Sequence, residues 1–184
     1  VSPQHPAILD DPELGEVVVG AEQIRDRIAE LGREITDHYR GEPLLLVGIL
    51  KGAFVFLSDL ARAIDLPLAL DFMSVSSYGA ATKTSGTVRI VKDLDIDLAG
   101  RHVLIVEDIV DSGLTLRYLV KYLAARNPAS LDVCSFLLKE GERRSEPDLR
   151  FVGFTIPDRF VVGYGLDIDE RYRNLPDLRV YTGA

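Results

Sequence analysis

The chain has no tryptophan, one cysteine and one methionine among its 184 residues. A single cysteine excludes an internal disulfide. Cys134 lies in an apolar, strand-like run, where a buried and inert thiol is expected rather than a nucleophile. Positive charge is scarce: 21 Lys and Arg stand against 29 Asp and Glu, and the net charge of −8 argues against nucleic acid as the main partner. No apolar run approaches the roughly 20 residues that cross a bilayer, so no membrane partner is expected. The stretch Val1-Ser-Pro-Gln-His-Pro6 has neither the basic nor the apolar region of a signal peptide, which makes the cytoplasm the expected compartment. Internal repeats and low-complexity tracts are also missing. At this length, with 47% hydrophobic residues, one α/β domain with a substantial core is the natural expectation.

Residues 1–15 are rich in Pro and Asp and read as an irregular arm. Ile24, Ile28, Leu31 and Ile35 recur at helical spacing and predict one amphipathic helix over 21–40. Leu44 to Leu50 is a short continuous apolar run, the mark of a strand buried on both faces. Residues 54–64 and 115–125 read as helices; 68–75, 88–92, 102–106, 131–138, 151–154 and 160–164 read as strands. The tail after them is polar. Strands alternating with helices point to a mostly parallel, twisted sheet covered on both faces. Residues 76–87 are small and polar, a composition typical of a mobile functional loop or of an idle hairpin tip.

The run Val103-Leu-Ile-Val-Glu107-Asp108-Ile-Val-Asp111-Ser112-Gly113-Leu114-Thr115 carries the most chemistry. An apolar strand leads into two carboxylates, then a small-residue turn, then a helix start. The amides of Ser112, Gly113, Leu114 and Thr115 can converge on one anion, helped by hydroxyls and the helix dipole. Carboxylates just ahead of that cradle would repel phosphate, so ribose hydroxyls or a divalent cation suit them better. A sugar bearing a 5-phosphate satisfies both halves. Lys51 and Gly52 follow the first buried strand, where ligands bind in such folds, although a plain strand-to-helix turn reads equally well. Asp111 could act as a proton acceptor or simply cap a turn. Lys139, after an apolar strand, could be merely solvated.

This pattern resembles the phosphoribosyl pyrophosphate (PRPP) signature of the type I phosphoribosyltransferases, and its wording is most similar to the hypoxanthine-guanine branch. A second string, Ile156-Pro-Asp-Arg-Phe160-Val161-Val-Gly-Tyr-Gly-Leu-Asp167 followed by Glu170-Arg-Tyr-Arg173, resembles that branch's purine-binding region. The resemblance runs from about Ala21 to Tyr181. It implies a pyrophosphate loop at Lys51 and Gly52 with a non-proline cis peptide at Leu50–Lys51. It implies a closing catalytic loop opened by Ser77, Tyr78 and Gly79, which excludes water from an oxocarbenium-like transition state. Asp111 becomes the general base. Lys139 donates to the 6-oxo group of the purine, Phe160 stacks on the ring, and Val161 offers backbone groups to its edge. Asp167 lies near the 2-position, and Arg173 grips pyrophosphate. Magnesium is implied as cofactor, with Glu107, Asp108 and Asp167 as its protein ligands. Leu114 stands in the cradle where relatives carry a basic residue, and acts through its backbone.

The expected fold is the type I phosphoribosyltransferase α/β fold, a single domain over 1–184. Its core spans about 40–155, with a small hood from about 1–20 and 156–184. The expected activity is purine salvage: PRPP with hypoxanthine or guanine gives IMP or GMP and pyrophosphate. Magnesium, Lys51 and Arg173 would offset the acidic site. The family's usual homodimer or homotetramer is expected. A xanthine-preferring enzyme is the nearest rival. An RNA-binding regulator on the same fold is a second, opposed by the net charge and the intact purine string. A dinucleotide-binding domain is disfavoured because no G-x-G-x-x-G follows the first strand.

Overall fold

The computed structural model describes Ile8 and residues 10–78, 87–141 and 148–183. The elements run in the order β1 (Leu14–Val19), α1 (Ala21–His38), β2 (Leu44–Leu50), α2 (Phe54–Ala63), β3 (Leu68–Tyr78), β4 (Thr87–Lys92), β5 (His102–Val110), α3 (Leu114–Ala124), β6 (Ser130–Lys139), β7 (Phe151–Ile156), β8 (Val161–Val162) and β9 (Leu178–Tyr181). Six of the strands form one sheet in the order β4-β3-β2-β5-β6-β7. Only β4 is antiparallel to its neighbour.

The continuous apolar run of β2 is explained by its central place. Leu44 and Leu46 pack with the α1 stripe of Ile24, Ile28, Leu31 and Ile35 and with Phe56 and Leu60 of α2. Leu45, Val47 and Ile49 face the other way, onto Leu116, Leu119 and Leu123 of α3. Burial on both faces requires hydrophobes at every position rather than every second one. Cys134 is fully buried in the α1–α2 layer, and that burial pushes its thiol pKa up, as expected of an inert cysteine. At the β7 edge, Arg27 donates to the carbonyls of Val152 and Gly153 at 2.9 and 3.1 Å, covering backbone that no strand pairs.

A second sheet, β1-β9-β8, joins segments far apart in sequence: Val17 pairs with Arg179 and Val161 with Val180. Two of its strands were not expected. β1 falls partly in the supposed irregular arm, and β9 lies in the polar tail. The β run expected over 160–164 stops at Val162, because Gly163, Tyr164 and Gly165 take φ values of 104°, 49° and 101° and turn the chain. β5 also runs four residues past the expected Val106, since β6 continues beside it and pairs Glu107 with Ser135 and Val110 with Leu138. The carboxylate pair is therefore inside the strand, not after it. Among the described residues, no helix is long and apolar enough to cross a membrane.

Going outward from β2 and β5, the chain winds in opposite directions: β3 and β4 on one side, β6 and β7 on the other. Such a switch point leaves a crevice beyond the carboxyl ends of the two strands. Lys51, Gly52 and the Glu107–Asp111 segment all lie there.

Candidate active site

The crevice is closed at its base by glycines. The Leu50–Lys51 peptide is cis, the geometry implied by the sequence resemblance. Gly52 is buried, and a Cβ placed on it would overlap the Asp108 carboxylate. A Cβ on Gly165 would overlap the Gly52 carbonyl oxygen, and the φ of 101° at Gly165 independently favours glycine. Three distant segments thus meet closely, Gly165 against the Gly52 backbone and Gly52 against the Asp108 side chain.

Successive strand residues point to opposite faces, and Glu107 and Asp108 accordingly border different cavities. Glu107 is 8% exposed; burial and the neighbouring Asp108 charge hold its carboxyl well above the usual range. Burial also raises Asp108, against the opposing effects of the Ile109 amide and Arg173. Glu107 shares a cavity of about 120 Å³ with Asp111, Ser112, Gly113, Leu114 and Thr115. Gly113, at φ 71°, caps the start of α3, and no side chain caps the helix there. The start of an 11-residue helix therefore borders this cavity, the place where an anion cradle would be built.

Asp108 lies on the other side, in a cavity of about 300 Å³ that it shares with Asp111, Lys139, Phe160, Val161 and Asp167. Ile109 and Leu166 give it apolar walls, a mixture suited to a flat heterocycle. Lys139 reaches Asp158 at 3.0 Å and Asp111 at 3.6 Å. Phe160 is 51% exposed, with its ring edge-on to Tyr181 at 5.9 Å. Asp111 borders both cavities.

Residues 20–169 match the phosphoribosyl transferase domain model. The chain belongs to the phosphoribosyl transferase domain family. It is similar to the hypoxanthine-guanine phosphoribosyltransferase of Mycobacterium avium, with 55% identity over 98% of this chain and 95% of that protein. The Bacillus subtilis protein of the same name is 48% identical over 94% of this chain and 96% of its own length. Among solved structures, a Staphylococcus aureus hypoxanthine phosphoribosyltransferase superposes with a TM-score of 0.91 at 42% identity, over 97% of this chain and 96% of that one. The mostly parallel sheet with flanking helices is thus the fold of this phosphoribosyltransferase family.

The remaining site residues of this family member are placed less simply. Lys51 Nζ pairs with Glu170 at 2.9 Å. Arg173 donates to the Gly165 carbonyl at 2.8 Å and pairs with Asp167 at 2.8 Å and Glu170 at 3.4 Å. Its Nε is buried and has no hydrogen-bond partner among the described residues. One carboxylate, Glu170, therefore bridges the two cations assigned to pyrophosphate, and its own pKa is lowered, chiefly by Lys51. Ser77 and Tyr78 end β3, with Tyr78 opposite Thr87, while Gly79 and the rest of the expected loop to 86 lie outside the described residues. Among the described residues, no three or more His, Cys, Asp or Glu are grouped to hold a metal ion. Glu107, Asp108 and Asp167 do not converge on one point. Sequence reading missed Asp158 and Glu170. Both lie within the quoted purine string, and the pairs of Glu170 with Lys51 and of Asp158 with Lys139 form only across the fold.

Proposed function

We infer that this chain is a cytoplasmic purine-salvage enzyme that joins hypoxanthine or guanine to PRPP, giving IMP or GMP and pyrophosphate. The observation that carries this reading is the position of Asp111, between an amide-lined anion cradle and a heterocycle-sized pocket bearing Lys139 and Phe160. The 5-phosphate would occupy the 112–115 cradle, placing the ribose against Glu107 and Asp108. Phe160 would stack on the purine, with Val161 at its edge and Asp167 toward the 2-position. A ring nitrogen of the purine attacks the anomeric carbon as its bond to pyrophosphate breaks. The bonding electrons leave with pyrophosphate, and the nitrogen's proton passes to Asp111. The pocket lies where the segment after about residue 156 meets the 40–155 core.

Magnesium fits the donor set. Glu107 and Asp108 are hard oxygen donors whose burial and mutual repulsion a divalent cation would relieve. With no complete protein cage, substrate oxygens would supply most of the shell; Asp108 and Asp167, which line one cavity, would hold the ion there, with Glu107 in the neighbouring cavity. The bound metal would neutralise charge on the departing pyrophosphate. Lys51 and Arg173 would grip the same group after exchanging Glu170 for it.

The test is pyrophosphate release from PRPP with hypoxanthine, guanine, xanthine, adenine or uracil, each with and without magnesium. Turnover is expected with hypoxanthine and guanine, falling to background in excess chelator. Full activity without divalent cation would remove the metal from the reading, and a clear preference for xanthine would redirect the substrate assignment.

Lys139→Gln is expected to reduce use of hypoxanthine far more than PRPP binding, since losing a charged donor to a buried oxo group costs about 2–3 kcal/mol. An amide both donates and accepts, so adenine should be rejected less strongly than by the parent. Equal losses with hypoxanthine and adenine would end the specificity role.

Assembly into a homodimer or homotetramer is also expected. Phe54 and Leu70 are 46% and 45% exposed, and Phe54 with Phe72 lines an open apolar cavity beside Lys51. Sedimentation should show at least a dimer, shifting toward monomer in Phe54→Glu; a monomeric parent protein would refute this.

A further inference from the structure

Lys139 is the last residue of β6, and its ammonium lies between two carboxylates. Asp158 Oδ1 accepts a hydrogen bond from it at 3.0 Å, whereas Asp111 Oδ2 stands at 3.6 Å. The lysine side chain is 15% exposed, and both carboxylates are 72% exposed. A mostly buried cation is therefore tethered from the solvent side by Asp158.

The fold sets that tether. β7 runs parallel to β6 with Ile156 opposite Lys139, and the Glu140 amide donates to the Ile156 carbonyl at 2.8 Å. The Arg159 amide then donates to the Pro157 carbonyl at 2.8 Å. This turn brings Asp158 back over the end of β6 before the chain continues into Phe160 and Val161, which line the purine pocket. Asp158 itself does not line that pocket. It touches Lys139, which does.

We propose that Asp158 is a positioning residue that holds the Lys139 ammonium at the purine pocket and away from Asp111. This rests on the roles given above to Asp111 and Lys139. An ammonium has three donors. With one directed to Asp158, the others remain for the purine oxo group, and Asp111 keeps its lone pairs for the proton. Without Asp158, the carboxylate left within 4 Å of the ammonium among the described residues is Asp111. An ammonium drawn to it would leave the oxo group and occupy the proton acceptor in an ion pair. One carboxylate outside the pocket thus keeps the acid and base duties of two pocket residues separate.

The test compares steady-state constants for hypoxanthine and PRPP in the parent protein, Asp158→Asn, Asp158→Glu, Lys139→Gln and the Lys139→Gln/Asp158→Asn double variant. Asp158→Asn should lower kcat/KM for hypoxanthine about tenfold, the scale of a lost charge-assisted hydrogen bond, and leave the KM for PRPP within about twofold. Asp158→Glu, which keeps the charge, should recover most of the loss. In the Lys139→Gln background the Asp158→Asn change should have no further effect, because a residue acting only through Lys139 has nothing left to act on. Three results would each overturn the assignment: unchanged hypoxanthine kinetics in Asp158→Asn, equal losses for hypoxanthine and PRPP, or the same loss with and without Lys139. A parent protein inactive with every purine would instead overturn the enzymatic reading itself, and the positioning role with it.

Discussion

Replacing Asp111 with Asn is expected to slow the chemical step by roughly 10²–10⁴-fold, the usual effect of removing a general base. Asn is nearly isosteric and leaves the backbone of the cradle loop as it is, so PRPP and nucleotide should bind almost as well as before. What is lost is the ability to take the proton that the purine nitrogen releases as it attacks the sugar. The loss should therefore fall on kcat rather than KM, and single-turnover rates across pH would show it directly. The competing view makes Asp111 a turn residue. Asn serves that purpose well, so activity would then stay within a few-fold. A near-normal single-turnover rate would return Asp111 to a structural role. Its place on the border of both cavities, the proposed phosphate cradle and the proposed purine pocket, supports the chemical role.

Gly52→Ala should be nearly as damaging, for a steric reason. The added methyl would overlap the Asp108 carboxylate, and the far side of Gly52 is closed by its carbonyl's contact with Gly165. Either the loop after β2 or the Asp108 side chain must move. Overpacking of this kind costs about 1–3 kcal/mol in stability. A shift of about 1 Å in a site group can remove about 10²-fold of rate. We expect a lowered melting temperature together with a raised KM for PRPP, since Asp108 is the group displaced. Gly141→Ala is the matched control: a Cβ there meets nothing within 4 Å among the described residues, and it should be silent. If Gly52→Ala melted and turned over like Gly141→Ala, the close packing of the loop on Asp108 would have no bearing on function.

Much of the fold was legible from local pattern. The 3.6-residue stripe of α1 and the unbroken apolar run of β2 each reflect which faces are buried, and burial is what local periodicity reports. β1 and β9 escaped for the opposite reason: they are short, half-exposed strands that pair with each other across the length of the chain, as Val17 does with Arg179. Each carries several apolar residues, but neither is long enough to declare itself without its partner.

The same division runs through the site. By itself the sequence determined the alternation of core strands and helices, the small-residue turn of Ser112–Thr115 and the inventory of acids and cations, because turns and strand ends are local features. Tertiary structure alone decided which groups face each other. It placed Glu107 and Asp108 in different cavities, seated Gly52 against Asp108, set Glu170 between Lys51 and Arg173, and brought Asp158 onto Lys139. Each of these depends on strand direction, parallel register and turns that join distant segments. Charge pairing acts through space, over a few ångströms, and the separation of Lys51 and Glu170 along the chain says nothing of the 2.9 Å between their charged atoms.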